Sequence, residues 1–140
     1  MRRVLFPSRT IIVALSALML AAIFSTHVSA EPVHTPPSGS VERKNILNGL
    51  RPSVERRVGQ RVIFVVNRLR VKDGWAFFAG SARKTNGKTL SDKYLWGETS
   101  ALLRKSGGRW RVVRWGFATD TSIMDECRRN YPNAPRAIFS

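Results

Sequence analysis

Cysteine is almost absent from this chain of 140 residues, in which Cys127 stands alone. An intramolecular disulfide is therefore impossible, so the fold must be held by packing, or two chains must be cross-linked through this residue. A redox role would need a second cysteine. We expect Cys127 to be a small, partly buried thiol, which is the usual state of a free cysteine.

Histidine is nearly as scarce, with His27 near the N-terminus and His34 shortly after it. Neither a Cys-His pair nor a zinc site of nitrogen and sulfur ligands is expected, because His34 and Cys127 lie far apart in the chain. Ser-His-Asp chemistry is disfavoured because a His on a mobile segment makes a poor general base. Asp125 and Glu126 are neighbours and would face different ways on a helix. We expect a protein that is not an enzyme and holds no cofactor or metal.

Acidic residues are few, nine against 24 Lys and Arg, which gives a net charge of +15. Such an excess of positive charge favours an anionic partner. The alternative is a set of solvated arginines without a ligand.

The longest apolar run, Ile11 to Phe24, is too short and wrongly flanked for a stable membrane anchor. Arginines precede it and Val28-Ser29-Ala30 follows it, which is the layout of a secretory signal peptide over residues 1–30. Cleavage between Ala30 and Glu31 would leave a periplasmic or secreted protein without a transmembrane segment. Three of the basic residues lie in this leader, so the mature chain would keep 21 against nine acids, a net charge of +12. For an exported protein the anion is lipopolysaccharide, lipid, polysaccharide or an acidic protein, and nucleic acid is not expected.

The remainder reads as one domain behind a short linker. Residues 31–39 carry three prolines and predict a flexible tether, and residues 40–140 predict a single α+β domain. Ser40 is a good N-cap residue and Gly59 a helix stop. Between them apolar residues recur at helical spacing, and Pro52 predicts a kink or two short helices.

Two hairpins follow this helix in the sequence. Lys72-Asp73-Gly74 and the Gly107-Gly108 pair are turn signals, and the flanking segments are rich in β-branched and aromatic residues. They predict four antiparallel strands, at 61–71, 75–80, 99–104 and 110–117, with a long loop or protruding hairpin tip at 81–94. A short C-terminal helix, capped by Asp120, and a docked apolar tail at 137–139 complete the prediction.

These hairpins carry a resemblance. Residues 66–78, with Lys-Asp-Gly-Trp, and residues 102–115, with Gly-Gly-Arg-Trp-Arg-Val-Val, are similar to the double hairpin of cystatin-like domains of the nuclear transport factor two type. Taken with Glu42-Arg43-Lys44 and the segment 134–139, the set resembles a group of small exported proteobacterial proteins of uncharacterised function. The resemblance implies an N-terminal helix packed on a four-stranded antiparallel sheet. It also implies that the protein is exported from the cytoplasm.

Basic and aromatic residues supply the candidate binding site. By strand alternation, two rows of arginine would share a sheet face and form a basic stripe able to bind phosphate or carboxylate groups. Its members are Arg68, Arg70, Arg104, Arg109 and Arg111. The alternative is that these arginines only occupy exposed strand edges, where positive charge discourages association with other chains. Tyr94 and Trp96, beside the polar loop, could stack on a sugar or anchor a protein contact.

The sequence thus favours a small, basic, exported binding module that engages an anionic envelope component or a protein partner. A second hypothesis is a small-ligand carrier or enzyme with a cone-shaped pocket and a buried Asp. A third is an inhibitor or effector that acts on a partner protein through Tyr94 and Trp96.

Overall fold

The computed structural model describes residues 30–118 and 120–140. It is an α+β fold in which a four-stranded antiparallel sheet of order β1-β2-β3-β4 carries an N-terminal helix and a short C-terminal helix, as the sequence predicted. The elements are α1 (Val41–Val58), β1 (Val62–Lys72), β2 (Trp75–Lys84), a 3-10 segment (Asp92–Gly97), β3 (Glu98–Ser106), β4 (Arg109–Gly116), α2 (Asp120–Asn130) and a C-terminal 3-10 turn (Arg136–Phe139).

Helix α1 begins and ends at the predicted residues. The Ser40 side chain accepts a hydrogen bond from the Arg43 backbone N–H at 3.2 Å, and Gly59 takes the left-handed conformation that closes the helix. The expectation of two short helices is wrong, because the chain is helical through Pro52. Pro52 is exposed, so water can bond to the carbonyl that loses its N–H donor.

The sheet is covered on both faces. On the α1 face, Ile46, Leu50 and Val54 pack against a core that includes Phe78 and Leu103. On the opposite face, called the α2 face below, Phe77 and Leu102 are covered by α2 and the C-terminal turn through Ile123, Cys127, Ile138 and Phe139. The apolar tail therefore docks on the body as predicted, and each fully buried Leu, Ile or Phe contributes about 1.5–3 kcal/mol relative to exposure.

Both hairpins turn through two residues. Asp73 and Gly74 lie at positive φ between β1 and β2, and Gly107 and Gly108 do so between β3 and β4. These turns match the twist of the strands they join and fix the register of each pair. Lys72 is thereby paired with Trp75, and Ser106 with Arg109.

The segment predicted as a long loop is partly strand. Strand β2 continues to Lys84, four residues beyond the predicted end, and a tight turn returns the chain so that Arg83 bridges Thr89. The prediction of a hairpin tip is thus correct here and that of an unstructured loop is wrong. Ala82 and Leu90 are buried, so the hairpin extends the hydrophobic core.

The segment 31–39, predicted to be a tether, contacts the sheet. His34 pairs with Val71 at the outer edge of β1 through two backbone hydrogen bonds of 2.9 and 2.8 Å. Its ring is 2.9 Å from a Glu42 carboxylate oxygen. The expectation that His34 lacks a fixed position is therefore wrong, because an unpaired strand edge was available to hold it.

Helix α1 reaches the other end of β1. The Val62 backbone N–H donates to Glu55 Oε1 at 3.1 Å, and Arg51 donates to the Val62 carbonyl. Between Val66 and Arg68 the pairing with β2 is interrupted by a bulge at Asn67. The outer edge of β1 is therefore occupied at both ends.

Residues 1–29 of the predicted signal peptide 1–30 lie outside the described residues, and so does the side chain of Asp120. Within the described chain, no helix is both long and apolar enough to cross a membrane.

Candidate anion-binding site

Four cations line the end of the α2 face where the two hairpins turn. Residues in cross-strand register share a face, and Lys72 is paired with Trp75, Trp75 with Arg104, and Arg104 with Arg111. The row crosses all four strands and spans about 14 Å at the usual strand spacing. Arg109 lies on the same face two residues before Arg111. We call Lys72, Arg104, Arg109 and Arg111 the basic row.

The basic row lacks counter-ions. Among the residues that the structure describes, no carboxylate forms an ion pair with any of its four members. The three arginines are exposed and Lys72 is half-buried. Asp73, the nearest acid in sequence, is exposed in the turn. The site therefore presents four positive charges in a fixed order.

Arg104 and Arg111 are directly opposite one another on neighbouring strands. Like charges in this position destabilise a sheet, because the side chains leave it about 5 Å apart. An anion bound between them would remove the repulsion. A planar guanidinium also binds phosphate or carboxylate oxygens through two parallel hydrogen bonds.

Trp75 gives the row a rigid support. It is 8% exposed and packs into the core of the α2 face. The Arg104 guanidinium lies over the indole at 5.1 Å from the ring centroid. Such stacking holds the guanidinium in place and leaves its edge free to donate hydrogen bonds.

Cations farther along the α2 face are neutralised by α2 itself. Arg114 Nε lies 2.7 Å from Glu126 Oε1 and its Nη2 lies 2.9 Å from Oε2. This paired geometry raises the pKa of Arg114 and lowers the pKa of Glu126. Arg128 is 3.6 Å from Asp125 and donates to the Phe139 carbonyl at 2.9 Å. Arg114 thus joins α2 to the sheet, and Arg128 joins α2 to the C-terminal 3-10 turn.

The structure places Arg68 and Arg70 on the same face as the basic row but outside it. Arg70 is half-buried in register with Phe77, and Arg68 is in register with Ala79 and reaches the Met124 sulfur at 3.9 Å. The prediction of a shared face is therefore met by all five arginines, while only Arg104, Arg109 and Arg111 remain in the open row.

Tyr94 and Trp96 are not brought to the basic row. They lie in the 3-10 segment just before β3, which begins at Glu98 opposite Ser81, about 20 Å from Trp75 at the rise of a strand. Trp96 is 64% exposed, while Tyr94 is half-buried against Phe117 with ring centroids 5.1 Å apart. The basic row and this aromatic pair therefore lie toward opposite ends of the sheet.

Cys127 is fully buried in the core of the α2 face. Burial raises the pKa of its thiol to about 11, so the reactive thiolate is disfavoured. The thiol is more deeply buried than the partly buried one expected, and a cross-link between two folded chains would require this core to open.

Trp75 belongs to the site, opposite Lys72, although the sequence interpretation did not place it beside the basic residues. The signal was present, because a two-residue Asp-Gly turn pairs the residues on either side of it. In the other hairpin, the two-residue turn pairs Ser106 with Arg109. Two residues farther along each strand, Arg104 therefore lies opposite Arg111.

The aspartates described with their side chains, Asp73, Asp92 and Asp125, are exposed or half-buried. None of them is the buried carboxylate that the hypothesis of a cone-shaped pocket expects.

The fold and the basic row define a small α+β protein with four cations at one end of its sheet. No family model, no curated protein and no solved structure matches the chain. The resemblance to cystatin-like domains therefore stays a prediction.

Proposed function

We propose that this protein is an exported, non-enzymatic binding module whose basic row binds the anionic groups of an envelope component. The observation that carries the proposal is the set of four cations on one sheet end without a carboxylate partner among the described residues. Farther along the same face, Arg114 is paired with Glu126 of α2.

The ligand chemistry follows from the side chains. Three guanidinium groups and one ammonium group, spread over about 14 Å, fit several phosphates or carboxylates on one surface. A membrane rich in anionic lipid, or the phosphates of lipopolysaccharide, presents such an array. The leader-like segment at residues 1–30 supports this choice, because an exported protein meets these anions first.

The test is co-sedimentation of the purified protein with vesicles of phosphatidylglycerol and phosphatidylcholine over a range of salt concentrations. The double variant R104Q/R111Q removes two charges from the row. At about 1 kcal/mol for each basic residue near an anionic surface, we expect binding about thirtyfold weaker, with a shallower salt dependence.

A matched control removes the same charge elsewhere. Arg56 and Arg61 are exposed and lie outside the basic row, so R56Q/R61Q should retain most of the binding. An equal loss in both double variants would mean that net charge alone attracts the protein. Binding that is absent, or insensitive to salt, would also overturn the proposal.

A further inference from the structure

A cleft lies on the α1 face, at the end of the sheet opposite the basic row. It is lined by Arg57, Lys93, Trp115, Gly116 and Phe117 and has a volume of about 380 Å³. Three elements form it: the last turn of α1, the 3-10 segment and the end of β4. This volume is in the range of small-molecule sites.

The floor of this cleft is aromatic and only half covered. The Trp115 and Phe117 rings meet edge to face at 5.3 Å, and Tyr94 packs on Phe117 from the side. Trp115 and Phe117 are both half-buried, so their apolar surface remains open to a ligand. These ring contacts fix the rings in orientation and lower the entropy cost of binding.

Two cations border this floor. Arg57 and Lys93 are exposed, and within the described ranges neither forms an ion pair with a carboxylate. Lys93 Nζ lies 4.7 Å from the centroid of the Tyr94 ring. The nearby Asp92 carboxylate accepts a hydrogen bond from the Lys93 backbone N–H at 2.9 Å. The ammonium group is therefore available to an external anion.

The backbone beside the cleft is strained. Leu95 and Trp96 adopt positive φ values of 48° and 53°, although neither is glycine, and their side chains are 44% and 64% exposed. Each such residue costs about 1–3 kcal/mol, and this kind of strain concentrates at binding sites.

We propose that this cleft binds an acidic sugar, a pyranose ring that carries a carboxylate or a phosphate. The apolar face of the ring would lie on Trp115 and Phe117, and its anionic group would pair with Arg57 and Lys93. An acyl chain would need an enclosed apolar channel, whereas this cleft is open and bordered by charge. The site is separate from the basic row and does not depend on the function proposed above.

The test is a two-dimensional NMR titration of the purified protein that follows the Trp115 indole and Gly116 amide signals. The probes are glucuronate and glucose 6-phosphate, with glucose as the neutral sugar and acetate and inorganic phosphate as anions without a ring. We expect both signals to move with glucuronate, glucose 6-phosphate or both, and the stronger binder identifies the anionic group. Saturation by glucose, acetate or inorganic phosphate at equal concentration would overturn the proposal, as would no shift with either acidic sugar.

Variants separate this cleft from the rest of the surface. R57Q/K93Q should weaken acidic-sugar binding at least about tenfold, since a hydrogen bond to a charged group contributes about 1.5–3 kcal/mol. R56Q/K88Q removes the same charge from exposed neighbours and should leave the affinity unchanged, as should R104Q/R111Q in the basic row. Equal weakening by R56Q/K88Q would overturn the assignment.

Discussion

The arginines of this protein fall into two groups according to the residue each one faces. Arg114 meets Glu126 through two hydrogen bonds, whereas Arg111 meets the like charge of Arg104. Both lie on the same face of β4, so their difference comes from the position of α2. The same residue type therefore stabilises the fold at one position and is available for binding at the other.

Replacing Arg111 by glutamine should weaken binding to anionic vesicles without lowering stability. Removing a like charge from an opposed pair is expected to leave the free energy of unfolding unchanged or to raise it by a few tenths of a kcal/mol. Thermal unfolding and vesicle co-sedimentation measure the two effects.

Arg114→Gln is the matched comparison for this prediction. It removes one arginine from the same strand but leaves Glu126 without its partner, so it should lower the melting temperature. A larger loss of stability in R111Q than in R114Q would contradict the assignment of the two roles.

Element boundaries follow from local chemistry, and the sequence predicted them where that chemistry is local. Ser40 and Gly59 bound α1 because a side-chain oxygen and a left-handed glycine satisfy helix ends. The extension of β2 to Lys84 was missed, because it depends on pairing with β1 across the sheet. The sequence left open whether Pro52 kinks the helix or divides it in two, because the apolar stripe that keeps α1 in one piece is buried against the sheet.

Gly49 shows how packing overrides helix propensity in α1. A Cβ at this position would lie 2.6 Å from the Trp110 carbonyl oxygen, because helix and strand approach closely there. Gly49→Ala gains about 1 kcal/mol of helix propensity but incurs about 1–3 kcal/mol of overpacking, so we expect net destabilisation. Urea unfolding measures it. Asn48→Ala, on the exposed neighbour, should be neutral or stabilising, and a G49A protein as stable as the wild type would show that the helix can shift.

At the scale of the whole molecule, the sequence predicted the α+β architecture but not the separation of its two surfaces. Periodicity and turn signals are local and give the order of the elements. The placement of Trp96 far from the basic row depends on the length of β2 and on which sheet end each connection occupies. The contact of His34 with β1 likewise depends on an open strand edge, which no local sequence pattern predicts.

Stability should be greatest in a mildly acidic range of pH. The hydrogen bond to Glu42 raises the pKa of His34. The stability that protonated His34 contributes is therefore fully present below pH 6.5, its ordinary pKa, and is lost as pH rises through the raised pKa. The hydrogen bond to Arg114 lowers the pKa of Glu126. The stability that ionised Glu126 contributes is therefore fully present above pH 4.5, its ordinary pKa, and is lost as pH falls through the lowered pKa. Both contributions are present together between 4.5 and 6.5.

Melting temperature measured against pH tests this expectation with two variants. H34Q should flatten the decline on the alkaline side, and E126Q should flatten part of the decline on the acid side. An unchanged alkaline decline in H34Q would show that the contact between residues 31–39 and the body does not depend on the charge of His34.

Helix α1 protects the Val62 end of β1. Its Arg51 and Glu55 side chains form hydrogen bonds with the Val62 backbone there. Residues 62–66 form a β-branched and aromatic run of the kind that seeds amyloid, and Ile63 and Val65 are partly exposed even in the native state. While α1 is docked, this run offers only a short and bulged template. If α1 detaches, the Val62 end of β1 loses both hydrogen bonds, and we expect fibre growth to follow the opening of this helix.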